Sequence, residues 1–454
     1  MLSQIKKSAL IAFPLIITQV VQMGISVTDT IMIGWLGPSE LAALTLGSTL
    51  LFIMYIWIYG FPNAGVALIS QARGRKDFTY ARRVFRMGVW LVSIASLFSL
   101  AALTQTDQIL RFLGQEDELI AFAVEYMVIA KWTVLPFMIF TMFRSFLMSI
   151  DRAYIIFWVS VIGLFFNAVL NYILIFGKLG FPEMGIGGAG LATIISEMFS
   201  LLILLYMAFS GENNARFNTI SGCRFDKPLF LRLIRYGMPN GIQFFLDIAA
   251  FSIFILLIGR LGTPELAASN IALNVSMLSF MPMIGMGITV SILVGQSLGG
   301  NRPDMADRAT FSAMQMAFIY MGSIACLYLV VPQLFIYPFS ANADPAEFQE
   351  IKVHAMTAMK FVAAWALLDS IAIVISSALK GAGDTKFIML AIIGLSIIFL
   401  ILPTYLALEV FDLGLKAAWS AGLAYIISLA VAYGLRYKTG KWTSMRVIEH
   451  SNDF

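Results

Sequence analysis

The sequence predicts an all-α polytopic membrane protein of twelve transmembrane helices, arranged as two six-helix lobes in parallel repeat. Three observations carry that reading. Hydrophobic residues make up 59% of the 454 residues against 12% charged, with a mean hydropathy of +0.85, which is far from the composition of soluble domains. Twelve apolar stretches are long enough to cross the hydrocarbon, a crossing that takes about 20 residues. They run over residues 9–35, 44–70, 84–105, 122–148, 154–178, 186–210, 232–260, 268–298, 309–331, 352–379, 386–409 and 414–438. Finally, the chain repeats itself without gaps across its midpoint, at an offset of 225 residues.

The repeat is read residue by residue. Pro14 answers to Pro239, and Ile33-Gly34, Leu36-Gly37 and Glu40-Leu41-Ala42-Ala43 answer to Ile258-Gly259, Leu261-Gly262 and Glu265-Leu266-Ala267-Ala268. Gly60, Gln71, Gly74, Ala81 and Arg83 fall on Gly285, Gln296, Gly299, Ala306 and Arg308, and a weaker echo pairs the turn around Asp151 with Lys380 to Thr385. In an apolar chain such a repeat means two homologous bundles facing each other across a path. The longest polar connection, 211–231, divides the spans six and six. It sets an N-terminal lobe at 1–210, a linker at 211–231, a C-terminal lobe at 232–438 and a tail at 439–454. Six spans per half is an even number, so both halves enter from the same side and the pseudo-two-fold axis runs along the membrane normal.

Orientation follows from Lys and Arg. Lys6-Lys7, Arg73 to Arg86, Arg144 and Arg152, Arg216 to Arg235, Arg302 and Arg308, Lys380 and Lys386, and Arg436 to Arg446 all fall on one side if the spans alternate. Asp107, Glu116 to Glu118, Asp344, Glu347 and Glu350 mark the other. The positive-inside rule then puts both termini in the cytoplasm. The formal charge of +4 reflects loops beside anionic headgroups and points to no nucleic-acid partner. Lys6-Lys7 and the apolar run after them imitate a signal peptide, but no small-residue cleavage site follows, so the segment reads as a retained first span. Cys223 and Cys326 imply neither a disulfide framework nor a metal site.

Four carboxylates lie well inside spans: Asp29, Glu197, Asp247 and Asp369. Each costs roughly 2.5–3.5 kcal/mol at a helix centre, so such groups face a bundle interior and mark ion or proton paths. On span 1, Pro14 permits a gating kink, and Gln19, Gln22, Ser26 and Asp29 share one helical face. On span 5, Asn167 and Asn171 lie one turn apart. Glu197 has only Thr193 and Ser196 for polar company, and its part in a site is the weakest of the four. Span 7 carries Asn240, Gln243 and Asp247 on one face, span 8 carries Asn270 and Asn274, and on span 10 Asp369 follows Trp365 by one turn. A carboxylate with amide neighbours holds either a proton or a small desolvated cation, and Asp247 with Asp369 forms a pair in which one bound cation relieves repulsion. A structural hydrogen-bond cluster is the alternative for each face. The repeat sets Gln22 opposite Asp247 and Phe254 opposite Asp29, so the scaffold is symmetric and the charges are not. Lys131 and Lys360 read as side chains that snorkel to the interface, with Lys360 as an alternative counter-charge for Asp369, and Arg144 reads as an interfacial anchor.

Taken in order, these residues resemble the MATE (multidrug and toxic compound extrusion) family, most of all its NorM-type branch. The carriers are Pro14, Val27 to Gly34, Gln71-Ala72-Arg73-Gly74, Arg144-Ser145-Phe146, Asn167 to Asn171, Gly177 to Gly180, Gly190 to Thr193, Gly237-Met238-Pro239, Asp247, Asn274, and the segment from Asp369 to Asp384. The resemblance implies a V of two lobes around a cavity, and export of small cationic lipophilic compounds in exchange for Na⁺ or H⁺. It implies coupling acids at Asp29, Asp247 and Asp369, with Asp247 where the branch usually has Glu and Trp365 where it usually has Tyr. It also implies a chain that works as a monomer in the plasma membrane, with a bacterial inner membrane as the expected location. No cofactor is expected beyond the coupling ion. The alternatives are a lipid-linked precursor flippase of the same superfamily, which would need a cationic cavity, and a membrane-embedded enzyme. The only histidines are His354 and His450, and no Walker-type Gly-Lys-Ser/Thr occurs, so neither a catalytic cluster nor ATP chemistry is expected.

Overall fold

The computed structural model describes residues 2–220, 224–340 and 345–448. Cys223, Asp344 and His450 lie outside the described residues, as do the side chains of Lys6, Lys7 and Glu347. All regular structure among the described residues is helical, and twelve helices are long and apolar enough to cross a membrane. We number them α1 (Leu2–Gly34), α2 (Pro38–Gly74), α3 (Phe78–Leu103), α4 (Asp117–Ser149), α5 (Ala153–Ile175) and α6 (Gly185–Phe209) in the first half. The second half holds α7 (Lys227–Ile258), α8 (Thr263–Gly299), α9 (Pro303–Val330), α10 (Pro345–Ala382), α11 (Thr385–Val410) and α12 (Leu415–Lys438).

The sequence repeat is a structural one. α2 and α8 begin and end 225 residues apart, and α3 and α9 begin at the same offset. The turn before α2 and the turn before α8 each place a glycine where Glu40 or Glu265 folds back over it. A Cβ at Gly37 would lie 2.6 Å from Glu40 Oε2, and one at Gly262 would lie 2.8 Å from Glu265 Oε2. The turns after α2 and α8 are closed by left-handed residues at the same offset, Lys76 (φ 62) and Asn301 (φ 54). The turns after α4 and α10 use Asp151 (φ 70) and Gly383 (φ 102). Beside them, Arg73 pairs with Asp151 at 3.4 Å and Arg436 pairs with Asp384 at 2.7 Å.

Proline sets the local irregularities. Pro136 lacks the N–H that would bond the carbonyl one turn back, and α4 tightens into a 3₁₀ turn at Lys131–Thr133 just before it. Pro403 is flanked by π-helical turns at Ser396–Ile401 and Leu406–Val410, the usual accommodation of a misfit in a helical ladder. Pro14 and Pro239 are carried inside continuous helices, and the Thr18 hydroxyl donates to the Pro14 carbonyl at 2.8 Å.

The chain forms two compact units. One comprises residues 13–241 with 448–454, the other residues 1–12 with 242–447, so the divisions fall inside α1 and α7 beside the two repeat-related prolines. In the first unit α4 is the central helix, packed against α2, α3 and α6. In the second α10 takes the same place against α8, α9 and α12. Stacked rings fill the first core, with Phe85 and Phe146 centroids 4.5 Å apart, while Trp419, fully buried, anchors the second.

Candidate functional site

Each unit carries its own cluster of membrane-embedded charge, and we describe them separately. In the first unit Asp29, on the last turns of α1, accepts a hydrogen bond from Asn171 Nδ2 at 2.5 Å and one from the Thr193 hydroxyl at 3.5 Å. Asn171 also donates to Asn167 Oδ1 at 3.1 Å, and Asn167 donates to the Ser196 hydroxyl at 3.4 Å. Donation thus runs outward from Asn171 on α5, to the carboxylate on one side and through Asn167 to Ser196 of α6 on the other, while α6 reaches the carboxylate directly through Thr193. Asn167 and Asn171 are fully buried, and Asn171 Oδ1 has no hydrogen-bond partner. A carboxylate, an unpaired amide oxygen and a hydroxyl are hard oxygen donors of the kind that hold a proton or an alkali cation.

The polar face of α1 divides. Asp29 joins α5 and α6, whereas Gln22 and Gln19 accept from Arg144 Nη1 at 2.7 and 3.5 Å, and Ser26 is exposed. Arg144 corrects the sequence expectation of an interfacial anchor. It is 3% exposed, donates through Nη2 to the Tyr59 hydroxyl at 2.7 Å, and leaves Nε without an acceptor. A guanidinium on the central helix of a bundle cannot snorkel, so its hydration is replaced by amide and phenol oxygens. Glu197 lies within electrostatic reach of both Arg144 and Asp29. Among the described residues the first unit thus groups two acids, Asp29 and Glu197, with one buried cation, Arg144.

In the second unit Asp247 accepts from the Tyr425 hydroxyl at 3.4 Å and adjoins Gln243 one turn earlier on α7. Asp369, on α10, lies within electrostatic reach of Asp247, and Tyr433 is near both. Trp365, one turn before Asp369, is buried in a ring cluster, 5.8 Å from Phe251 and 5.5 Å from Trp419. It supplies packing and no oxygen. Gln243 Oε1 is buried without a partner, and so is Asn240 Oδ1, one turn earlier on α7 and just on the first unit's side of the division. Asn274 stands apart: it is exposed and donates back to the Asn270 carbonyl on its own helix at 2.9 Å.

Lys360 is exposed, which removes it as a buried counter-charge for Asp369. The cation that does act here is Lys380. It lies 5.1 Å over the Phe244 ring and within electrostatic reach of Asp247. Sequence reasoning assigned it to a turn, because it sits three residues before Gly383. Tyr59, Tyr425 and Tyr433 were missed altogether, since a tyrosine in an apolar span carries no mark distinguishing a hydrogen-bonding role from packing. No group of three or more His, Cys, Asp or Glu residues able to hold a metal ion occurs among the described residues. An open cleft of ≈ 540 Å³ lined by Glu125, Glu183 and Met184 contains none of the embedded acids.

Twelve spans in two repeats, each with its own embedded acids, define a secondary-transporter architecture. The chain belongs to the MATE family: it matches the MatE family profile over residues 14–173 and 239–406, one segment in each repeat. A protein of Mesorhizobium japonicum named "Probable multidrug resistance protein NorM" is 32% identical over 95% of this chain and 94% of its own length. One of the same name from Rhizobium meliloti is 31% identical over 85% of this chain and 82% of its own. Among solved structures, the eukaryotic MATE transporter AtDTX14 superposes with a TM-score of 0.85 over 98% of this chain and 97% of its own, at 20% identity. A MOP superfamily transporter from Pyrococcus furiosus does so with a TM-score of 0.87 over 97% of each chain, also at 20% identity. The relatives are transporters, and the family is not one of enzymes.

Proposed function

We propose that this chain is a secondary active multidrug antiporter, exporting cationic lipophilic compounds in exchange for Na⁺ or H⁺ by alternating access. The observation that carries the reading is that, among the described residues, each unit groups two embedded acids with one embedded cation, a balance that one monovalent cation per unit completes. The names of the NorM relatives support drugs as the substrate class. In this reading the two repeats are the two working lobes, 1–210 and 232–438, joined by 211–231, with both termini cytoplasmic and the chain acting as a monomer in a bacterial inner membrane. An entering cation takes Asp29 or the Asp247/Asp369 pair, the attraction for a cationic drug falls, and the drug leaves outward. Ion release on the cytoplasmic side restores it. Coupling needs only that ion and drug compete for the same carboxylates or stabilise different states. The membrane potential adds about 2.3 kcal/mol per charge per 100 mV. A lipid-linked pyrophosphate substrate is disfavoured, because Arg144, the one buried arginine among the described residues, is already engaged by Gln19, Gln22 and Tyr59.

The test is ethidium efflux from proteoliposomes with Na⁺ and pH gradients imposed separately. We expect efflux under one of the two, abolished by Asp29→Asn or by Asp369→Asn. Efflux that survives both substitutions would place the coupling site elsewhere, and none under either gradient would remove ethidium-like cations from the substrate class.

A further inference from the structure

At the offset of 225 Arg144 falls on Asp369 and not on Lys380, yet the internal cations of the two units act at repeat-equivalent places on their first helices. At the offset of 225, Gln19 corresponds to Phe244 and Gln22 to Asp247. In the first unit Arg144, from central helix α4, reaches Gln22 at 2.7 Å and Gln19 at 3.5 Å. In the second unit Lys380, from central helix α10, lies 5.1 Å over Phe244 and within electrostatic reach of Asp247. Both halves thus send one cation from their fourth helix to the same two turns of their first.

The chemistry at the two ends differs. Arg144 meets neutral oxygens, two amides and a phenol, in directional hydrogen bonds that a rigid guanidinium keeps. Lys380 meets a carboxylate, on a flexible four-carbon stem, and makes no direct ion pair among the described residues. Around Asp247 stand Asp369, Tyr425, Tyr433 and Lys380, so among the described residues the positive charge that faces this acid is the ammonium.

We propose that Lys380 is a tethered counter-ion of Asp247, which competes with an incoming monovalent cation for that carboxylate and is displaced when the cation binds. The proposal rests on the antiport reading above and deepens it. Lys380 holds the net charge of the site at minus one while it is empty, and so keeps the site from binding its cation too tightly to release it. The incoming cation is either the inorganic coupling ion or the organic substrate, and the two share this chemistry.

The test measures binding, not transport, on purified protein in nanodiscs: ²²Na⁺ by scintillation proximity and tetraphenylphosphonium by calorimetry. Lys380→Gln is expected to bind at least one of the two about tenfold more tightly, a common size for coupling between sites. Whichever cation gains is the competitor. Lys380→Arg keeps the charge on a stiffer group that is harder to displace and is expected to show no gain, whereas Lys360→Gln, which alters an exposed lysine on the same helix, is expected to bind as wild type does. The gain is expected to vanish in Asp247→Asn/Lys380→Gln. Unchanged or weaker binding of both cations by Lys380→Gln overturns the proposal and leaves the antiport reading standing. No binding of either cation by wild type and all variants overturns the antiport reading and the proposal with it. A second measurement needs no variant at Lys380: acylation of the Lys380 amine, read by peptide mass spectrometry, is expected to rise on saturation with the cation in wild type and to stay flat in Asp247→Asn. A flat response in wild type overturns the proposal.

Discussion

Replacing Arg144 by methionine is expected to destabilise the protein by about 3–5 kcal/mol, the range for breaking a buried charge arrangement by removing one member. Methionine keeps most of the apolar stem but removes every donor, so Gln22, Gln19 and the Tyr59 hydroxyl lose a shared partner in a site with 3% exposure. Glu197 loses the cation that acts on it among the described residues, while Asp29 still opposes it. The second effect is separable from the first. Adding Glu197→Gln to Arg144→Met removes the stranded charge, and the double variant is expected to regain part of the loss, which a pair of independent substitutions would not do. Thermal unfolding in detergent, followed by size exclusion, reads all four corners of the cycle. Additive losses would mean that Glu197 and Arg144 do not sense each other. Arg144→Met as stable as wild type would mean that the guanidinium is hydrated from a side where the structure shows amides and a phenol.

The same residue shows where sequence reading stops. Span number and repeat were legible because they rest on hydropathy and on residue identity, both of which survive without coordinates. The turn glycines Gly37 and Gly262, already paired in the sequence, occupy equivalent turns. Asp29 with Asn171 was legible in kind, an acid and an amide each on a polar face, though not as a bond. What failed was the depth of the basic residues. Arg144 lies four residues inside the end of the apolar window 122–148 and Lys380 one residue beyond the end of 352–379, where a long side chain has two destinations, headgroup or core. Hydropathy cannot choose between them, because the choice is made by what the neighbouring helices offer: Gln22 and Tyr59 for one, Asp247 and the Phe244 ring for the other. The split of the α1 polar face has the same origin. Spacing put Gln19, Gln22, Ser26 and Asp29 on one stripe, but that stripe faces α4 at one level and α5 with α6 at another.

Gly381 offers the other large effect, and one whose sign opposes intrinsic propensity. It is buried on the last turn of α10, beside Lys380, where that helix meets α8. A Cβ there would lie 2.5 Å from the Ser291 carbonyl oxygen, 2.9 Å from its Cα and 3.1 Å from its carbonyl carbon. All three are backbone atoms of a packed helix, so neither side can yield by changing a rotamer. Helix propensity alone makes Gly→Ala stabilising by about 1 kcal/mol. At Gly381 overpacking is expected to reverse this, with Ala losing about 1–3 kcal/mol and Val more. Gly394 on α11 and Gly434 on α12 supply the contrast, since a Cβ at either has no atom within 4 Å. Gly394→Ala and Gly434→Ala are expected to melt at or above the wild-type temperature, while Gly381→Ala melts below it. Were Gly381→Ala to stabilise as well, the close approach of α10 to α8 would be wrong. The placement of Lys380 against α7 would have to be redrawn with it, because the same turn of α10 positions both residues.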